Sequence, residues 1–153
     1  MILTLVFIMD DSLNDHLTDL DPDYNYRNLD NFLTMFSEDA IPDVFIFSET
    51  WHVNSTPVNI PGFFAYHTIR QGRAGGVSIY VKTQISSSCV ENLCFANESI
   101  EICTVKINRS NNPIYVCGIY RPHSENISNF TASLENILDH NNFLNSRCVM
   151  AVA

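Results

Sequence analysis

Residues 42–51 read PDVFIFSETW. Val44 to Phe47 is an unbroken run of β-branched and aromatic residues, opened by the turn-forming pair Pro42-Asp43. Such a run suits a strand covered on both faces, because a half-exposed strand would alternate apolar with polar residues. Glu49 follows directly, so a carboxylate stands at the carboxyl end of a core strand. In α/β architectures that edge is where ligands and metals gather.

Working outward, Asn28 to Phe36 places Leu29, Phe32, Leu33 and Phe36 at helical spacing, with Asn28 as N-cap. This predicts a short amphipathic helix leading into the Glu49 strand. On the other side, Phe64 to Ile69 and Val77 to Val81 read as strands. They flank the glycine-rich turn Arg70-Gln71-Gly72-Arg73-Ala74-Gly75-Gly76. That turn is not a P-loop, since it lacks the closing Gly-Lys-Ser/Thr. Ile100 to Ile107 and Ile114 to Tyr120 predict two more strands joined as an antiparallel pair through Asn108 to Pro113. Ile127, Phe130, Leu134, Ile137 and Leu138 mark a second amphipathic helix between Ile127 and His140, and Cys148 to Ala153 (CVMAVA) reads as another buried strand.

With 153 residues the chain has the length of one domain or part of one, and 46% hydrophobic residues are enough for a packed core. No apolar run approaches the roughly 20 residues that span a bilayer. Met1 to Met9 is apolar, yet no basic residue precedes it and no small-residue cleavage site follows, so it reads as a strand or an unstructured leader. The net charge of −9 argues against a phosphate-bearing partner only if it is spread evenly. It is not. Residues 1–50 hold eleven of the seventeen acids and one base, Arg27, while the remainder holds six acids and seven bases. The cysteines at 89, 94, 103, 117 and 148 are odd in number, without a CxxC spacing, and read as reduced thiols of an intracellular protein, cytoplasmic or nuclear. Five N-x-S/T sequons, at Asn54, Asn97, Asn108, Asn126 and Asn129, keep open a secreted, non-catalytic binding module.

Three boxes carry a resemblance. Ser48-Glu49-Thr50-Trp51 follows an apolar strand, Arg73-Ala74-Gly75-Gly76-Val77-Ser78-Ile79-Tyr80-Val81 opens another, and Ile119-Tyr120-Arg121-Pro122 closes a third. In this order they resemble the SETW, R-x-GGV-x-IYV and YRP boxes of the endonuclease domain of non-LTR (Jockey-type) retrotransposons, within the endonuclease/exonuclease/phosphatase superfamily. The resemblance runs from about Asn28 to Ala153. It implies a two-sheet α/β sandwich with helices outside, of which this chain holds the N-terminal two-thirds. It also implies a divalent-metal phosphodiesterase site at one edge, using Mg²⁺ or Mn²⁺. By the same resemblance Glu49 is a metal ligand and, with Tyr120, catalytic; Tyr120 contacts the target phosphate. Arg70, Arg73 and Arg121 would touch the DNA backbone, which positions a strand without reading its sequence.

The expected function is therefore a fragment of a Mg²⁺-dependent DNA endonuclease that nicks a target site. DNA and the reverse transcriptase domain of the same element are the expected partners, and no membrane is involved. An abasic-site repair nuclease or a phosphatase of the same superfamily is the alternative, because fold alone does not separate their substrates. Two departures from the family pattern shape the expectation. The family's spacing, counted back from Glu49 to its metal-binding Asn, reaches Asp19 to Asp21, and Asn25 is the nearest Asn. Residues 1–27 are accordingly set apart as an acidic leader, and 28–153 as a partial domain. The Gly-Asp-Phe-Asn box and the later Asp and His, the general base included, would lie beyond Ala153. None of the histidines at 16, 52, 67, 123 and 140 falls at the family's catalytic position, so the chain is expected to be inactive alone.

Overall fold

The computed structural model describes residues 5–8, 34, 36, 40–48, 50, 59–68, 75–110, 112–123, 125–139 and 146–153, the first of these as backbone only. They form two sheets. The first has the order β1(Leu5–Ile8), β2(Val44–Ser48), β4(Val77–Lys82), β3(Phe63–Thr68). The second runs β5(Ser87–Cys89), β7(Glu101–Ile107), β8(Ile114–Tyr120), β9(Arg147–Val152), with β6(Phe95–Ala96) also pairing β7.

The apolar run of PDVFIFSETW becomes β2, an inner strand between β1 and β4. Successive side chains of a strand point to opposite faces, so both faces must be covered. Val44 and Ile46 face the second sheet and join Val77, Ile79 and Val81 of β4 in the central core. Phe45 turns outward into a second cluster with Ile60 and Tyr80, where its ring lies 5.3 Å from that of Phe63. β2 is thus buried on both sides, as its composition requires. β1 lies parallel to it, with Leu5 opposite Val44, so the strand reading of the amino end holds over Leu5–Ile8. The rest of residues 1–27, set apart above as an acidic leader on sequence alone, and the helix expected from Asn28 apart from Thr34 and Phe36, lie outside the described residues.

The second sheet repeats the alternation. Cys103, Val105 and Ile107 of β7 and Val116 of β8 face the first sheet. Ile102, Tyr115, Cys117 and Ile119 face outward and are covered by helix α1(Ile127–Leu138). Asn126 caps that helix by accepting the Ser128 N–H at 2.9 Å. Its buried face is narrower than the sequence suggests. Phe130, Leu134 and Ile137 pack inward, whereas Ile127, the first residue of the helix, is 69% and Leu138, the last, 40% exposed.

β7 and β8 are antiparallel, as expected, and α1 carries the chain back to β9, parallel to β8. The apolar run CVMAVA does not become a buried strand. β9 is the edge of the sheet among the described residues, leaving Val149 40% and Val152 47% exposed. Sequence reading also passes over β5, β6 and the 3-10 turn Glu91–Leu93 between them, elements too short to show a period. Gly118, inside β8, marks a close approach of the two sheets: a Cβ there would stand 2.6 Å from Val77 Cγ1 and 2.7 Å from Ile46 Cγ2.

Candidate active site

Strand direction brings the carboxyl ends of β2 and β8 and the amino ends of β4 and β7 to one rim of the sandwich. Ser48, the last residue of β2, pairs with Val77, the first of β4, and so does Thr68 at the end of β3. In the other sheet Tyr120, the last residue of β8, pairs with Glu101, the first of β7. Three hydrogen bonds lace this rim. Thr68 Oγ1 donates to Ile102 O at 2.7 Å, the Gly76 N–H donates to Glu101 Oε2 at 2.5 Å, and the Thr50 N–H donates to Gly76 O at 3.3 Å. The first two cross from one sheet to the other.

Gly75 and Gly76, the end of the glycine-rich turn, adopt φ of 98° and 100°. L-residues with a Cβ rarely enter that region, which accounts for the pair of glycines. Space demands them as well. A Cβ on Gly75 would fall 2.3 Å from Glu101 Oε1, and one on Gly76 2.6 Å from Thr50 Oγ1. The glycines let the backbone close on a carboxylate and a hydroxyl together.

Glu101 is completely buried. A carboxylate withdrawn from water is tolerated only with donors to replace the water, and the Gly76 N–H is one of them. Alternation places Glu101 on the same face as Cys103 and Val105, toward the sheet interface, where it is the direct cross-strand neighbour of Tyr120. Sequence reading did not single it out. The signal was available: an acid opening the run EICTVKI, on the core face of that strand. Thr50 Oγ1 is a further polar atom at this rim, buried and without a hydrogen-bond partner among the described residues.

Of the residues expected at the site, Tyr120 is 7% exposed and belongs to the central core. The ring of His123 stands edge-on to it, with centroids 6.0 Å apart. Arg121 is half-buried, its Nη1 donating to Glu125 O at 3.0 Å and its backbone N–H to Ala153 O at 2.9 Å. One guanidinium donor is thereby committed to the chain itself. Glu49, Arg70 and Arg73 lie outside the described residues, although Ser48 and Thr50, which flank Glu49, are both at the rim. His16, His52 and His140 also lie outside them. Among the described residues no three His, Cys, Asp or Glu side chains are grouped so as to hold a metal.

A neutral phenol at a strand end can donate a hydrogen bond to a phosphate oxygen at neutral pH.

No protein-family model matches the chain, and no curated protein matches it by sequence. Solved structures do match. The endonuclease domain of TRAS1, a telomere-specific non-LTR retrotransposon, superposes with a TM-score of 0.62 at 11% identity, over 98% of this chain and 57% of that one. TDP2 from D. rerio, solved with a single-strand DNA product, gives 0.57 at 13% identity, over 98% and 58%. The human Nocturnin catalytic domain, solved with bound sulfate, gives 0.53 at 11%, over 86% and 56%. The chain therefore spans little more than half the length of the structures it matches. All three are members of one superfamily, and identities this low speak to the fold. The chain shares its two-sheet α/β fold with these members of the endonuclease/exonuclease/phosphatase superfamily.

Proposed function

We propose that this chain is part of a divalent-metal-dependent DNA endonuclease of the retrotransposon type, acting by phosphodiester hydrolysis to nick a target site. The observation that carries the reading is the rim itself: the ends of the SETW and YRP strands, the glycine pair and a buried carboxylate meet there on a fold that also builds the TRAS1 endonuclease domain. In this reading Glu49 holds Mg²⁺ or Mn²⁺. The donor chemistry fits a hard cation, since the orphaned Thr50 hydroxyl beside Glu49 in sequence is an oxygen donor. When bound, the cation supplies charge neutralisation on the phosphate oxygens.

The chain's own residues do the rest of the work assigned here. Tyr120 donates its phenolic hydrogen to a phosphate oxygen, and the packed core beneath the ring keeps water from that side. Arg70, Arg73 and Arg121 contact the DNA backbone and set the position of the strand. Glu101 positions rather than reacts, by holding the Gly76 peptide and, through it, the end of the arginine-bearing turn. The chain is proposed to be inactive by itself, to work beside a reverse transcriptase domain, and to act inside the cell. Among the described residues no helix is long and apolar enough to cross a membrane.

The fold is shared with TDP2 and Nocturnin, so an abasic-site nuclease or a phosphatase of the superfamily is the second reading. Titration with Mn²⁺ tests the site without requiring turnover. Paramagnetic broadening should centre on Ser48, Thr50, Gly76, Glu101 and Tyr120 and vanish in Glu49→Ala. Broadening scattered elsewhere, or unchanged in that variant, would remove Glu49 from its role. Supercoiled plasmid should survive incubation with the chain and Mg²⁺. Nicking abolished by Glu49→Ala would overturn the inactivity while keeping the site.

A further inference from the structure

Away from the rim, the structure gathers sulfur. Cys89 ends β5, and Cys94 follows the 3-10 turn Glu91–Leu93. Their Sγ atoms are 3.3 Å apart, a contact at the exposed flank of the second sheet. The turn between them is held by its own hydrogen bonds, Leu93 N–H to Val90 O at 2.8 Å and Cys94 N–H to Glu91 O at 3.2 Å. The Val90 N–H in turn donates to Thr104 O at 3.0 Å, pinning the turn to β7. The two sulfurs therefore meet through ordered backbone on both sides.

The pair is also chemically unequal. The Thr104 N–H donates to Cys94 Sγ at 3.1 Å. Hydrogen bonding from the Cys103 thiol, then from the Thr104 N–H and the Cys89 thiol, brings the Cys94 thiol down to about 6, against an opposing effect of burial. Burial, and the hydrogen bond that Cys89 gives to Cys94, push the Cys89 thiol up to about 12. Cys94 is half-buried and Cys89 beside it is exposed, so a small oxidant reaches the pair from the surface. Cys103, the third sulfur, is buried on the core face of β7.

We propose that Cys89 and Cys94 are a redox modification site that closes to a disulfide in response to a hydroperoxide. The Cys94 thiolate attacks one peroxide oxygen, forming the sulfenic acid as the O–O bond breaks and the other oxygen leaves as hydroxide. The Cys89 sulfur then attacks Cys94 Sγ, forming the S–S bond and expelling the sulfenic oxygen, which departs as water. Two thiols and one hydrogen peroxide give one disulfide and two waters. The bridge would clasp β5 to the chain entering β6, the two short strands that pair with β7 on the same side. A dithiol reductant reverses it.

The site is tested on the reduced 153-residue chain with equimolar hydrogen peroxide, followed by alkylation and digestion with trypsin and a Glu-specific protease. Cleavage after Glu91, Glu98 and Glu101 separates the three thiols into different peptides. The Cys89 and Cys94 peptides should be recovered linked, and separate again with dithiothreitol. Cys103→Ser should keep the link. Cys94→Ser should lose it, and Cys89→Ser should trap the sulfenic acid on Cys94 as a dimedone adduct. At pH 6 iodoacetamide should label Cys94 about tenfold faster than an ordinary thiol, the gain in thiolate exceeding the loss in nucleophilicity. In guanidinium that preference should disappear. A bridge running mainly to Cys103 or between molecules, or peroxide consumption unchanged in Cys94→Ser, would overturn the proposal.

Discussion

Gly76→Ala isolates what the rim demands of its backbone. Gly76 has φ 100°, where a residue with a Cβ costs about 1–3 kcal/mol of strain. The new methyl would also fall 2.6 Å from Thr50 Oγ1, about 0.8 Å inside ordinary contact. Thr50 does not retreat freely, since its N–H is bonded to Gly76 O and its branched side chain is stiff about χ1. Together these predict a loss of about 2–4 kcal/mol, or roughly 5–15 °C in Tm for a domain of this size. Urea denaturation with linear extrapolation measures it. Thr50→Ala splits the effect, because it removes Oγ1 and leaves Thr50 Cβ at 3.8 Å, an ordinary distance. In that background Gly76→Ala should recover about 1 kcal/mol, a coupling of the size expected for touching residues. A Gly76→Ala chain within about 0.5 kcal/mol of the parent would refute the argument from conformation. Full rescue by Thr50→Ala would show that contact alone, not φ, excludes a side chain here.

Three further outcomes follow from the packing. Gly118→Ala should destabilise by about 1–3 kcal/mol in the same urea assay, its methyl driven against Val77 and Ile46 where the sheets touch. Glu101→Ala should cost about 1–3 kcal/mol by stranding the buried Gly76 N–H. It should also speed hydrogen exchange at Gly76 relative to amides of β8. The chain should self-associate in sedimentation velocity, and lysine at both Val149 and Val152 should weaken that association, since β9 presents exposed apolar residues at an edge of the sheet. Association unchanged by the two lysines would locate the sticky surface elsewhere.

Much of the sandwich was legible in the chain because strand identity is written in local composition. The unbroken run at Val44–Phe47 announced a strand covered twice, and the hairpin of β7 and β8 announced itself by two apolar runs around a polar link. Local pattern also carried the order of the boxes that resemble a retrotransposon endonuclease, and structural likeness to TRAS1 agrees with that fold. What local pattern does not contain is which elements meet. The edge position of β9 was invisible, because CVMAVA has the same composition whether a neighbour covers it or not. Glu101 is the sharper case. In sequence it is one acid opening an apolar run; only the antiparallel register places it beside Tyr120, and only the packing of one sheet on the other brings the Gly76 N–H to its oxygen. The sulfur pair at Cys89 and Cys94 shows no recognised spacing, and its contact arises from a turn pinned to a third strand. Hydrophobic periodicity depends on nearest neighbours along the chain, so sequence alone determined the longer strands, the helix after Asn126 and the order of the boxes. Buried polar groups depend on partners distant along it, and the thiol pair on a turn pinned to β7, so both were decided by tertiary structure.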